Sequence, residues 1–537
     1  MDGPTHVVEN QPPEFAPRDL WRDDVALREA LAREGGEAFA PQVAAYGALA
    51  GSELLGLSWD AHRDRPRLRS HDRFGHRVDR VEFHPNYHRI MQAAIAHGVA
   101  GLSWTARGPG AHVARAALSY LHYQAEPGTS CPLTMTHAAY PVLAREPALH
   151  EWAAKAASRE YDPRDVPVAA KPGVTLGMGM TEKQGGSDVR ANTTTATPQA
   201  DGSYLLRGHK WFFSAPMSDA FLVLAQAPGG LGCFLLPRRL PDGSLNGFRL
   251  MRLKDKLGDW SNASSEVEFD AARAWLVGEE GRGIRVIIEM VMLTRLDCML
   301  GSAGLMRMAL AQALHHCRHR RAFGRLLVDQ PLMRNVLADL AIEAEAALAL
   351  SMRVARAVDA APGDADEAAF ARIATAVGKF WICKRAPAMV NEAQECLGGG
   401  GYVEESLLPR LYRQAPLNSI WEGSGNIQCL DVLRAWSREP RAAQALLREL
   451  EAASGLDGDY DAALASLRPL FDPAPAEGQA RLVVERLALL LQASVLLRAA
   501  SPVARAFCTG RLRHGGRVFG TLPADVDGAL LLERALG

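Results

Sequence analysis

The chain has 537 residues, of which 48% are apolar, 23% charged and 7% aromatic. That composition belongs to a globular protein of several domains, at about 150 residues each, and excludes a disordered, collagen-like or disulfide-stapled chain. The net charge of −1 gives the whole molecule no field to draw in nucleic acid or anionic lipid, so any such attraction must come from a local patch. The 8 Cys are widely spaced with no CxxC pair, which argues against a zinc ribbon or a disulfide framework. The opening MDGPTHVVENQPPEF lacks the basic and apolar regions of a secretory signal. No run reaches the roughly 18 apolar residues of a membrane span. The best candidates, residues 286–293 and 483–497, are broken by Glu289 and by Glu485, Arg486 and Gln492. A cytoplasmic protein with no membrane partner is expected.

In chain order, residues 1–17 read as an extended arm, rich in Pro and polar residues. From residue 20 to about 161 the texture is helical, as in 24–34 and 111–123. Within it, 51–88 reads as a helix, an irregular loop and a short hairpin around 77–83. Residues 173–275 carry short apolar runs at 174–180, 203–207, 221–226, 232–237 and 266–269, punctuated by Asp-Gly and Pro-Gly-Gly, and predict a β domain. Long helical segments return at 284–320, 332–360 and 366–396, and predict a bundle. A further helical region follows residue 436, including an apolar helix at 480–499. The expected domains are 1–175, 176–280, 281–436 and 437–537.

Several strings could carry chemistry. MTEKQGGSDV (180–189) ends an apolar strand and turns through Gly185, Gly186 and Ser187, where backbone N–H groups can approach an anion. GHKWFFSAP (208–216) runs aromatics into Ser214, suited either to a buried strand or to the wall of a planar ring. The bundle holds HRRAFGRLLVDQP (319–331) and LGGGGYVEESLLPRLYRQAPLNSIWEGSGNIQ (397–428). His315, His316, Cys317 and His319 lie together, but without a HExxH glutamate or a third ligand at usable spacing they predict no metal site.

In their order, the four strings resemble those of the acyl-CoA dehydrogenase family of flavoproteins, with its TEPxxGSD, GxKxWITN, ERxxFG…Q, QxxGGxGY and YEGTxxIQ signatures. The arm, the variants TEKQGGSD and KWFFS, the IWEGSGNIQ string and the extra C-terminal region are similar to the adaptive-response (AidB-like) branch. The resemblance implies an α+β, multidomain fold: N-terminal helical domain, central β domain, C-terminal helical bundle and an extra helical C-terminal domain. It implies FAD held between the β domain and the bundle, with a partner subunit of a homotetramer completing the site. Carried onto this sequence, Met180, Thr181, Gly185, Gly186 and Ser187 approach the cofactor, with Phe212, Phe213 and Ser214 at the ring. Arg320, Phe323 and Gln330 reach across the subunit interface, and Trp421, Ser424 and Asn426 line the loop that passes the flavin. Glu422 takes the position of the catalytic base, a carboxylate that removes the α-proton of an acyl thioester while the β-hydride passes to the flavin.

Glu395 stands where the family string has Gln, Asn426 also replaces a Gln, and Met292 stands near a common Asp ahead of Thr294 and Arg295, the expected substrate contacts. The base is kept while the substrate side is altered, so weak activity on a short branched acyl-CoA is expected. The region 437–537 has 12 Arg and 12 acidic residues, but 487–524 holds no acid and five arginines: Arg498, Arg505, Arg511, Arg513 and Arg517. Such a patch suits phosphate oxygens. In the resembled branch this region binds duplex DNA without strong sequence preference, in the response to DNA alkylation damage. The resemblance therefore implies a DNA partner, protected from, or cleared of, alkylating compounds. An ordinary catabolic, isovaleryl-type dehydrogenase is the alternative. A nitroalkane-oxidase-like flavin oxidase is disfavoured by Glu rather than Asp at 422.

Overall fold

The computed structural model describes residues 5–106, 108–471 and 475–537. The chain divides into two compact units: Met1–Glu53, Gly108–Gln124 and Cys298–Gly537 form one, Leu54–Arg107 and Ala125–Asp297 the other.

The second unit combines helices with β structure. An antiparallel hairpin of β1 (Arg67–His71) and β2 (Arg77–Glu82) precedes helices Pro85–His97 and Pro127–Ala144. The latter starts where Glu126 accepts from the N–H groups of Gly128 and Thr129, answering donors that a helix start leaves open. Seven strands follow: β3 (Leu176–Gly179), β4 (Thr195–Pro198), β5 (Tyr204–Ser214), β6 (Ala220–Ala227), β7 (Gly230–Pro237), β8 (Phe248–Leu253) and β9 (Ser264–Val277). They pair in the order β3-β6-β4-β5-β9-β7, with β8 on β9, and β6 also pairs β7, so that β6, β4, β5, β9 and β7 close a ring. Its core is aromatic: Phe213, Phe221, Phe234 and Phe248 are all fully buried. β4 and β8 were not expected from the runs above, because their outward residues are polar or charged. β9 outruns its predicted segment for the same reason, and β5 joins the run at 203–207 to the aromatic stretch that follows it.

The first unit is helical, with Pro331–Ala360, Ala365–Cys396, Gly425–Arg438, Pro440–Glu451 and Ala480–Arg498 among its elements, together with the part of Gly283–His319 that follows Asp297. The long helices start where the sequence supplies caps: Pro331 at the first helical position, and Asp364 accepting from the N–H groups of Asp366 and Glu367. Among the described residues no helix is long and apolar enough to cross a membrane.

The units cut across the expected division into four consecutive blocks. Helix Ala111–Ala125 joins the bundle unit up to Gln124 because its neighbours in space are there: Tyr120 donates to Asp24 (2.8 Å), and Asp359 accepts from Gly110 N and His112 N (both 2.7 Å). Residues 437–537 belong to the helical unit. Arg353 pairs with both Glu449 and Glu367, and Arg534 with Glu345 (2.8 Å), tying the C-terminal helices to Pro331–Ala360.

Candidate functional site

In the β-containing unit, the 180–189 string is a turn held from below. Lys210 and Glu182 are paired at 2.7 Å with both side chains fully buried. The Lys210 ammonium also donates to the Leu224 carbonyl (2.8 Å), while Glu182 accepts from Thr193 N (2.7 Å) and Thr194 N (3.2 Å). Burial disfavours the Glu182 carboxylate, but Lys210 and these N–H groups hold its pKa well below the usual range. Asn192 donates to Met180 O (2.9 Å), and Trp211 N to Thr181 O (2.8 Å). With its base fixed, the turn exposes Gly185, Gly186 and Ser187. Gly185 has φ +149°, and a Cβ on Gly186 would stand 2.4 Å from the Thr181 hydroxyl, so a side chain would be strained at the first position and would clash at the second.

Strand β5 carries a bulge between Lys210 and Phe213, three residue steps against the two from Val267 to Ser265 on β9. A bulge reverses which residues face inward. Lys210 and Phe213 therefore both point into the core, and Phe212 is left 52% exposed. Phe213 packs on Phe221 at 4.3 Å between ring centroids and is fully buried, which corrects its expected place at a cofactor ring: it is core. Ser214 is half-buried, its hydroxyl 3.3 Å from that of Ser264. Thr294 and Arg295 are buried as well. The Thr294 hydroxyl donates to Val291 O (3.0 Å) and Arg295 lies 3.8 Å from the Met292 sulfur, so neither is presented as an open substrate contact.

In the helical unit, IWEGSGN forms the loop leading into helix Gly425–Arg438. Glu422 has φ +59° and Gly423 φ +92°. A left-handed backbone costs a non-glycine residue about 1–2 kcal/mol. Trp421 Nε1 donates to Asn418 Oδ1 (3.0 Å), and Ser424 and Asn426 are exposed beside the half-buried Glu422. Beneath the loop, Lys379 donates to the carbonyls of Asn418 (3.0 Å), Trp421 (2.8 Å) and Gly423 (2.9 Å). Gln428 donates to those of Glu422 (3.1 Å) and Gly423 (2.8 Å). Sequence reasoning passed over both. The signal for Lys379 was a lone cation inside the apolar run AVGKFWIC, residues 376–383.

The third motif is a hairpin of β10 (Arg321–Ala322) and β11 (Arg325–Leu326), whose two turn residues, Phe323 (φ +50°) and Gly324 (φ +78°), are both left-handed. It lifts Phe323 to 99% exposure. Gln330 donates to Ala322 O (3.0 Å), and Arg320 to the carbonyl of Asn10 in the extended arm (2.8 Å). Of the histidine cluster, His315 bonds Pro13 O and His319 bonds His315 O, both at 2.8 Å.

The expected C-terminal patch is different in space from its appearance in sequence. Arg511 is buried and bonded to Glu343 (2.8 Å) and Asp339, acids contributed by helix Pro331–Ala360, so it is withdrawn from any phosphate-contacting surface. Arg498 pairs with Glu449 (2.8 Å) and Arg513 with Asp525 (2.8 Å). Arg505 and Arg517 are exposed, with no ion pair among the described residues.

Within the β-containing unit, the exposed phenyl face of Phe212 and the hydroxyls of Thr181, Ser187 and Ser214 beside an exposed glycine turn fit a planar cofactor carrying a diphosphate. The adaptive response protein AidB N-terminal domain matches residues 10–163, the acyl-CoA dehydrogenase middle domain 177–272 and the acyl-CoA dehydrogenase C-terminal domain 281–436. The chain belongs to the acyl-CoA dehydrogenase family, as an FAD-dependent oxidoreductase of that type. Within the family it is 48% identical over 543 residues to AidB of Escherichia coli (strain K12), covering 100% of this chain and 99% of that protein. It is 33% identical over 453 residues to acyl-CoA dehydrogenase family member 11 of Caenorhabditis elegans, 80% and 73% of the two chains. The crystal structure of C. elegans ACDH-11 in complex with C11-CoA matches 99% of this chain and 93% of its own, at a TM-score of 0.86 and 27% identity. An acyl-CoA dehydrogenase from Bacillus anthracis complexed with FAD shares the fold at a TM-score of 0.65 and 18% identity, over 84% and 89% of the two chains.

Proposed function

We propose that this protein dehydrogenates an acyl thioester of CoA, with Glu422 as the base that removes the α-proton. The observation that carries the reading is Glu422 itself: a carboxylate at the YEGT base position, on a left-handed backbone whose flanking carbonyls are all held by buried donors. FAD, when bound, supplies the acceptor for the β-hydrogen, which leaves with its electron pair as the α,β double bond forms. The α-proton goes to the Glu422 carboxylate. Met180, Thr181, Gly185, Gly186, Ser187, Phe212 and Ser214 are assigned to the cofactor from the β-containing unit. Arg320, Phe323, Gln330, Trp421, Ser424 and Asn426 are assigned from the helical unit, with Phe323 exposed to serve a neighbouring subunit of a homotetramer.

A positioned base contributes about 10²–10⁴-fold to rate. E422Q keeps the shape and cannot take the proton, so bleaching of the flavin by an acyl-CoA should fall by that factor. Bleaching at the wild-type rate would move the base elsewhere. With Met292 in place of the family's Asp, activity on short branched acyl-CoA is expected to be weak. The C. elegans complex with C11-CoA makes a longer acyl chain the comparison substrate.

The similarity to AidB supports a second role, sequence-nonspecific binding of duplex DNA in a cytoplasmic alkylation response. With Arg511 inside the fold, and Arg498 and Arg513 paired, Arg505 and Arg517 are the groups left to carry it. Replacing both with Ala should flatten the salt dependence of duplex binding by up to about two units of slope, at about 0.9 per phosphate. An unchanged slope would leave both as solvated surface.

A further inference from the structure

We propose that Lys379 is a positioning residue for the reaction, acting on Glu422 through the backbone, with Gln428 as its second support. This rests on the reading of Glu422 as the base. Three consecutive carbonyls, those of Trp421, Glu422 and Gly423, all turn onto side-chain donors beneath the loop. Lys379 takes the first and third at 2.8 and 2.9 Å, and Gln428 the second and third at 3.1 and 2.8 Å. A third Lys379 bond, to Asn418 O at 3.0 Å, fixes the start of the loop, where Asn418 in turn holds the Trp421 indole. Lys379 is 1% exposed and Gln428 fully buried, so neither can touch a substrate.

The effect on Glu422 is geometric. Holding the carbonyls before, at and after a residue fixes the two peptide planes that flank its Cα, and with them the direction of its Cα–Cβ bond. Glu422 has a left-handed backbone that a free Glu avoids. Without the donors the loop would relax toward ordinary dihedrals and swing the carboxylate away. Lys379 makes three such bonds and no ion pair among the described residues, which is the work of a template for backbone rather than of a surface charge. A misplacement near 1 Å costs about 100-fold in a positioned reaction.

The test uses the FAD-loaded protein and isovaleryl-CoA as probe, followed anaerobically by flavin absorbance. K379M keeps the side-chain length and removes all three bonds. Its limiting rate of flavin bleaching, taken per bound FAD, should fall by at least about tenfold, while the half-saturating concentration of isovaleryl-CoA stays as in wild type. Hydrogen–deuterium exchange should quicken in residues 417–428 and nowhere else. An unchanged limiting rate, or unchanged exchange in that segment, overturns the proposal. If K379M does not fold, Q428M, which leaves the Lys379 bonds in place, is judged by the same two readouts. E422Q run alongside separates the two claims. Full bleaching in E422Q overturns the reading of Glu422 and this one with it. A full rate in K379M beside an inactive E422Q overturns only the positioning.

Discussion

Lys210 and Lys379 are each 1% exposed, and each underlies a turn that carries one of the family strings, but the two regions solve the burial of a cation differently. Lys210 faces a fully buried carboxylate, Glu182, which is itself bonded to the backbone of Thr193 and Thr194. Lys379 faces carbonyl oxygens alone. An ion pair fixes one side chain against another, and its stability depends on both staying charged. A ring of carbonyls transfers the fixation directly to the backbone and depends on the lysine alone. The first arrangement fixes the base of an exposed turn, the second a loop whose Glu422 has a left-handed backbone.

The difference can be broken experimentally. The largest expected effect is from K210M, which leaves Glu182 as an uncompensated buried charge. Breaking such a pair from one side costs about 3–5 kcal/mol. Denaturant unfolding should show that loss, and a loss below about 1 kcal/mol would mean that Glu182 finds another partner. A similar cost, about 3–5 kcal/mol, is expected for F213A, since it empties a fully buried ring position. F212A, one residue away and half exposed, should leave the unfolding midpoint nearly unchanged and lower FAD retention, measured by flavin absorbance per protein. If the two variants behave alike, the bulge in β5 does not sort them.

A smaller effect is expected with pH. The Glu182 carboxylate is held down to about 2, below its ordinary 4.5, because Lys210 and backbone N–H groups outweigh its burial. In the folded state it therefore takes up its proton later than in the unfolded state. Its contribution to stability is present above about 4.5 and is lost as the pH falls from there toward 2. The unfolded state binds more protons in that window, so stability should drop on acidification, and E182Q should flatten the drop. K379M has no such carboxylate and should leave it unchanged.

Much of this was readable from residues in order. The helix expected at 366–396 is Ala365–Cys396, because its Ala-rich apolar spacing is a local signal that Gly378 and Pro387 do not break. The faces of β5 were not readable, since one bulged residue reverses inward and outward and nothing local announces it. Nor was the fate of Arg511: a stretch without acids in sequence is not a surface without acids, because Asp339 and Glu343 arrive from more than 160 positions upstream. Lys379 and Gln428 were hidden for the same reason. Their targets are carbonyls, which every residue carries, and only the fold selects which ones.

The most direct measurement of the central claim is the isotope dependence of proton removal. FAD-loaded wild-type protein is mixed anaerobically with an acyl-CoA carrying either hydrogen or deuterium at the α-carbon, and flavin bleaching is followed in both. With Glu422 taking the α-proton as the β-hydrogen leaves, the deuterated thioester should bleach the flavin more slowly, and E422Q should bleach at least about 100-fold more slowly with either. Equal rates for the two thioesters in wild type, together with undiminished bleaching in E422Q, would contradict it.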